Sequence, residues 1–339
     1  LHYLAFAGPG TQEIAFDLDC SLGGRHPASA DDPSPVYVSG LARAGTTLLL
    51  EAIHSTGAFA TLTYRNMPFV TAPLLWGRMS RGRAAGENPL RERAHGDKVL
   101  VNYDSPEAFE EVFWLSFMKK RYVEENGLRY HDVDDAILGK YARFVANVVR
   151  SKADPEASRY LAKNNNNMLR IDAIRKAFPS SVIIVPFRNP LDHARSLQRQ
   201  HESFLARHEE DPFSMRYMGW LGHFEFGRHF KPFLADSEAV PVDWEETRRV
   251  SFWIRYWKSV YQRAVETMAG KVVFFDYDVF CQDPKSELAN LERKLGMLAD
   301  SLTPYSVNIR RPTRYGTTGD DGAVSDDVRM VYEKLKESL

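Results

Sequence analysis

The stretch from Pro35 to Leu50, reading PVYVSGLARAGTTLLL, constrains the fold more than any other part of this 339-residue chain. Val36, Tyr37 and Val38 suit a buried strand. Gly40 and Gly45 bracket a tight loop, and Thr46 and Thr47 open an apolar helical run that reaches Ile53. A strand that turns through such a loop into a helix aims successive backbone N–H groups at one point, where an anion is favoured. The same residues also fit a plain helix N-cap in an α/β core.

The spacing from Gly40 to Gly45 is that of the triphosphate loop G-x-x-x-x-G-K-[ST]. Thr46 stands where the Lys would be, Thr47 takes the hydroxyl position, and Arg43 is the loop's cation. That Lys reaches the β and γ phosphates, so its absence argues for a shorter phosphate group.

A second anion signal lies downstream. Ser181–Phe187 is the best buried strand in the chain and runs straight into Arg188-Asn189-Pro190. Asn189 caps and Pro190 opens the next helix, which carries Ser196. Arg188 thus sits at a strand's C-terminal end, where open α/β sheets bind ligands, although a local acid could equally hold it. Tyr160–Lys163 reads as a short strand that leads into Asn164–Asn167, either a polar turn or an anion-lining tract. Val272–Phe275 is a further strand, with Asp276-Tyr277-Asp278 at its end.

Between these pieces, Ser105-Pro106-Glu107 carries a strong helix-start signature, and Pro106–Lys119 is expected to be helical. Residues 76–98 combine Arg78, Arg81, Arg83, Arg91, Arg93 and Lys98 with four glycines and read as a mobile, basic loop. Segments 100–150 and 201–265 are expected to be mainly helical. The histidines between 201 and 229 repeat no ligand spacing, so no metal is expected.

Hydrophobic residues make up 44% and charged residues 26%, a globular balance. A net charge of −1 argues against nucleic-acid binding. Cys20 and Cys281 match no metal pattern and read as two reduced thiols, which suits a cytoplasmic protein. No apolar run approaches membrane-spanning length, and Leu1–Ala7 is too short for a signal peptide.

Taken together, these motifs resemble the sulfotransferases that use 3′-phosphoadenosine-5′-phosphosulfate (PAPS). Ala42-Arg43-Ala44-Gly45-Thr46-Thr47 resembles the family's 5′-phosphosulfate loop, P-[KR]-[ST]-G-T-T, with Ala42 and Ala44 as departures. Arg188-Asn189-Pro190 with Ser196 is similar to its 3′-phosphate site, R-[DN]-P-x-x-x-x-x-S. Tyr277 before Pro284 resembles the Y-E-D-L-V-x-x-P segment. Lys163 and Arg43 are similar to the tyrosylprotein-sulfotransferase branch. The clear motifs span residues 35–60, 160–200 and 270–285.

The resemblance implies one domain over residues 1–339, a three-layer α/β/α fold with a central, mainly parallel sheet like that of P-loop NTPases, and a helical acceptor-side insertion. It implies PAPS as co-substrate, its bisphosphate PAP as product, and no metal. Arg43 and Lys163 would stabilise the leaving phosphate. Arg43, Ala44, Gly45, Thr46, Thr47, Arg188, Ser196 and Tyr277 would bind the donor, with Arg310 and Arg314 of the arginine-rich segment near the C-terminus. The acceptor would be a small molecule, lipid or glycan; a homodimer is compatible.

The base is open. The tyrosylprotein branch places a Glu at the position of Tyr64, so that residue does not carry over. His95, oriented by Asp97, is the first candidate because a near-neutral imidazole accepts a hydroxyl proton. Glu107 and Glu111 are the reserves. Two alternatives remain: a kinase-like phosphotransferase, favoured only by Asp276 at a strand end, and a non-catalytic nucleotide-binding protein.

Overall fold

The computed structural model describes residues 1–23, 34–80, 91–92, 100–152, 156–235, 242–310 and 324–339. Five strands form the central sheet: β1 (Val36–Val38), β2 (Phe59–Ala60), β3 (Arg159–Lys163), β4 (Val182–Phe187) and β5 (Val273–Asp276). Their order is β2-β3-β1-β4-β5, and every pairing is parallel. Strand β1 lies at the centre, with Val38 in register with Lys163 on one side and Ile184 on the other.

Period-two alternation divides the strand side chains between two apolar layers. Val36, Val38, Leu161, Ile184 and Phe275 pack with Leu49, Leu50 and Ile53 of helix α1 (Thr46–His54) and with Leu288 and Leu291 of the helix Pro284–Lys294. Tyr37, Tyr160, Ile183, Val185 and Phe274 face the other way. They join Phe113 and Trp114 of helix α2 (Glu111–Tyr122), Leu197 of helix α3 (Pro190–Glu210) and Trp257 of helix α4 (Val250–Met268). The result is three layers, helix on both faces of a parallel sheet. Each of these fully buried large side chains contributes about 1.5–3 kcal/mol of apolar burial.

The second layer contains a polar centre. Glu110 accepts hydrogen bonds from Tyr141 (2.7 Å), Tyr160 (2.9 Å) and Asn167 (2.7 Å). Burial pushes both tyrosine hydroxyls well above their usual titration range, so they stay protonated donors. Beside them Arg170 clasps Glu111 through two N–H···O contacts of 2.9 and 3.1 Å, both side chains being buried. Tyr122 and Asn164 complete the donors to Glu111.

Two local expectations need correction. The helix expected from Pro106 starts at Glu111 instead. Pro106 forms an antiparallel bridge with Thr63, and the Glu107 amide donates to the Leu62 carbonyl, so tertiary pairing holds this segment extended. Part of the expected loop 76–98 is ordered: Pro73–Ser80 is a helix, and Arg91–Glu92 pairs with Leu100–Val101. The Asn164–Asn167 tract leads into a 3₁₀ helix, Asn165–Arg170, which passes into the helix Ile171–Ala177.

Candidate active site

The loop between β1 and α1 closes on its neighbours through three left-handed or otherwise glycine-type residues. Gly40 has φ +147°, and a Cβ there would sit 3.3 Å from the Pro186 carbonyl of β4. Gly45, at φ +84°, caps α1, and a Cβ there would lie 2.2 Å from the Tyr277 ring. Arg43 is also left-handed, at φ 71°. A non-glycine residue pays roughly 1–2 kcal/mol for that conformation, so its neighbours must fix it.

Helix α3 does so from two positions. Arg43 Nε donates to Ser196 Oγ at 3.2 Å. One turn earlier, His193 Nε2 lies 2.8 Å from the Ala42 carbonyl, and since a carbonyl only accepts, that nitrogen carries the proton. His193 is fully buried, and burial lowers it to about 3, so the ring is neutral.

Tyr277 joins the two anion motifs. Its ring touches the Gly45 backbone, and the Arg188 guanidinium stands over its face at 5.3 Å. Arg188 is 5% exposed. Its Nε is 3.8 Å from Asp278, whose other oxygen accepts from the Asn189 amide at 2.6 Å. Arg188 Nε and Nη2 have no hydrogen-bond partner among the described residues. A buried cation with unused donors, set against a glycine loop at a helix N-terminus, suits a multiply charged oxyanion.

A cleft opens beside the loop. Arg43, Thr46, Thr47 and Lys163 line it together with Glu107, Asn165, His223 and Glu225, and with Phe204 and Phe226. Lys163 arrives there as the last residue of β3. The amides of the asparagines that follow it are directed at carboxylates and a backbone carbonyl. Asn164 and Asn167 donate to Glu111 and Glu110, Asn166 donates to the Gly222 carbonyl, and the Asn165 amide donates to Glu225 at 2.7 Å.

Residues 35–246, more than half of the chain, match the sulfotransferase family Sulfotransfer_3. The chain belongs to the sulfotransferase family. As a sulfotransferase it is an enzyme of sulfuryl transfer. Among solved structures it is similar to sulfotransferase STF1 from Mycobacterium tuberculosis H37Rv at 14% identity, covering 97% of this chain and 83% of that one, with TM-score 0.49. STF9 from Mycobacterium avium is 13% identical over 91% and 78%, also at 0.49. The sulfotransferase domain from the curacin biosynthetic pathway is 11% identical over 90% and 98%, at 0.41. No curated protein gives a significant match.

The sulfotransferase thus brings Arg43, Ala44, Gly45, Thr46, Thr47, Arg188, Ser196 and Tyr277 into one neighbourhood, with Lys163 across the cleft lining. Arg310 is exposed and does not line the cleft. Arg314, His95 and Asp97 lie outside the described residues. Of the reserve bases, Glu111 is committed to Arg170, whereas Glu107 lines the cleft. Asp276, the one feature favouring a kinase, caps the helix Tyr277–Gln282 by accepting from Asp278 and Val279 amides. Sequence reasoning missed His193 and Glu225, and it weighed Asn165 only within a polar or anion-lining tract and His223 only as a histidine without ligand spacing; His193, three residues before Ser196 on the same helix, carried the nearest available signal.

Proposed function

We propose that this sulfotransferase moves a sulfuryl group from PAPS to a hydroxyl or amine of a small-molecule, lipid or carbohydrate acceptor and releases PAP. The observation that carries this reading is Arg188, a buried guanidinium with two nitrogens that lack a hydrogen-bond partner among the described residues, beside the Gly45–Tyr277 contact. A 3′-phosphate would satisfy both nitrogens, and planar Arg suits bidentate contact with phosphate.

The donor supplies an activated sulfuryl group; the chain supplies charge and position. Amides of residues 44–47 and the α1 N-terminus hold the 5′-phosphosulfate. Arg43 and Lys163 stabilise the charge that grows on the phosphate oxygen as its bond to sulfur breaks. Ser196 fixes the Arg43 fork from below. Glu107 takes the acceptor proton as the new oxygen–sulfur or nitrogen–sulfur bond forms. It is held for that role by the Tyr64 hydroxyl and by the Ala108 amide, at 2.7 and 2.8 Å. Tyr64 occupies the position where the tyrosylprotein branch has its Glu, so a carboxylate from another segment takes up the place beside it.

A thermal-shift panel of PAP, AMP and ATP–Mg²⁺ tests the reading. PAP is expected to give the largest rise in Tm. A shift with ATP–Mg²⁺ and none with PAP would contradict PAPS as donor and favour the phosphotransferase.

A further inference from the structure

The cleft holds a second carboxylate beside Glu107. Glu225 has an 18% exposed side chain and lines the same space. Its Oε1 accepts from Asn165 at 2.7 Å, and its Oε2 is 4.0 Å from His223 Nδ1. No Lys or Arg pairs with it among the described residues. Because the Asn165 NH₂ is directed at this carboxylate, the amide orientation is fixed; flipping it would set oxygen against oxygen. Asn165 Oδ1 is then an acceptor, in a residue 3% exposed, with no hydrogen-bond partner among the described residues.

This wall therefore offers negative charge and lone pairs. A carboxylate, phosphate or sulfate on the acceptor would meet like charge, whereas an ammonium brings three donors and a positive charge to the same spot. The cleft is also lined by Gln200 and by Arg43 and Lys163, the two cations assigned to the donor, and its apolar lining is Phe204 and Phe226, parallel with centroids 6.0 Å apart, with Met218.

We propose that the acceptor is a hydroxyl compound carrying a protonated amine on an apolar body. The ammonium is held by Glu225 and Asn165 Oδ1, the body lies against Phe204 and Phe226, and the hydroxyl meets Glu107. The proposal rests on the reading of this cleft as the acceptor side of a PAPS-dependent enzyme. Glu225 is its specificity-determining residue, and the charge it presents excludes acidic acceptors despite the arginine-rich sequence at 76–98.

Calorimetry with three probes of one size tests it: 2-phenylethylamine, 2-phenylethanol and 3-phenylpropionate, each titrated into the full chain with and without saturating PAP. The ammonium probe is expected to bind at least about tenfold more tightly than the carboxylate. Glu225→Gln, which keeps an acceptor for Asn165, should erase that preference while the alcohol's affinity stays within about twofold. Equal or tighter binding of 3-phenylpropionate to the wild type, absence of ammonium binding, or an unchanged ratio in a folded Glu225→Gln protein would each overturn the proposal. The donor reading has its own readout. Loss of the PAP shift with the ammonium preference intact contradicts PAPS alone, and a PAP shift without that preference contradicts the acceptor class alone.

Discussion

The Tyr64 hydroxyl donates to Glu107 Oε2 across 2.7 Å, linking the 3₁₀ turn after β2 to the extended segment before α2. That segment stays extended because Thr63 pairs with Pro106, and this is what turns Glu107 into the cleft rather than onto a helix surface.

Glu107→Gln is expected to lower kcat by about 10²–10⁴-fold with PAP affinity unchanged. Tyr64→Phe removes one hydrogen bond to the carboxylate and should cost about tenfold in kcat. Steady-state kinetics with parallel PAP titrations check both; a Glu107→Gln enzyme of full activity removes Glu107 as the base.

Arg43 and Lys163 are assigned to charge that appears during transfer, so their loss should act on rate more than on donor binding. Arg43→Gly suits the left-handed backbone at φ 71° and leaves the fold undisturbed. It and Lys163→Met should each lower kcat about 10²–10³-fold while the PAP Kd rises less than about tenfold. Equal losses in both quantities would reduce these residues to binding roles.

Gly45→Ala places a methyl 2.2 Å from the Tyr277 ring at a φ of +84°. A destabilisation of about 1–3 kcal/mol and loss of PAP binding are expected, because strain and overpacking fall on the same loop. In the double variant with Tyr277→Ala the stability losses should be less than additive, as denaturant titrations of the four proteins would reveal.

His193 makes stability depend on pH. Its folded value is about 3 because burial disfavours the charged ring, and Arg188 and Arg43 add to the effect. In the unfolded chain an imidazole titrates near about 6.5. Between those two values the unfolded state binds a proton that the native state does not, so stability falls as pH falls through this window. The His193 contribution is at most about 1.4 kcal/mol per pH unit. Denaturant unfolding at pH 7, 6 and 5 should give His193→Gln a shallower slope than wild type by about that amount. Identical slopes would mean that His193 is not held neutral.

Much of the glycine loop and of the Arg188 neighbourhood was legible because its signals are local. Strand, glycine loop and helix follow one another from Val36 to His54, and Arg188-Asn189-Pro190 marks a strand end and a helix cap within three residues. The cleft around Glu107 and Glu225 was not, because five separate segments build it. The Ser105-Pro106-Glu107 signature is a good helix start in isolation, yet pairing with residues 62–63 overrides it. Four consecutive asparagines read as a polar turn or an anion-lining tract, and only the positions of Glu110, Glu111, Glu225 and the Gly222 carbonyl explain where each amide points. Glu225 and His223 lie in an irregular stretch with no periodicity to mark them.

The central claim is that the Gly45 loop and Arg188 hold the two phosphate groups of one nucleotide. The most direct measurement compares PAP with AMP, which lacks the 3′-phosphate, by thermal shift or calorimetry in wild type and Arg188→Ala. The account predicts that wild type binds PAP far more tightly than AMP, and that Arg188→Ala binds the two alike. Equal binding by wild type, or a preference for PAP that survives in a folded Arg188→Ala protein, would contradict it.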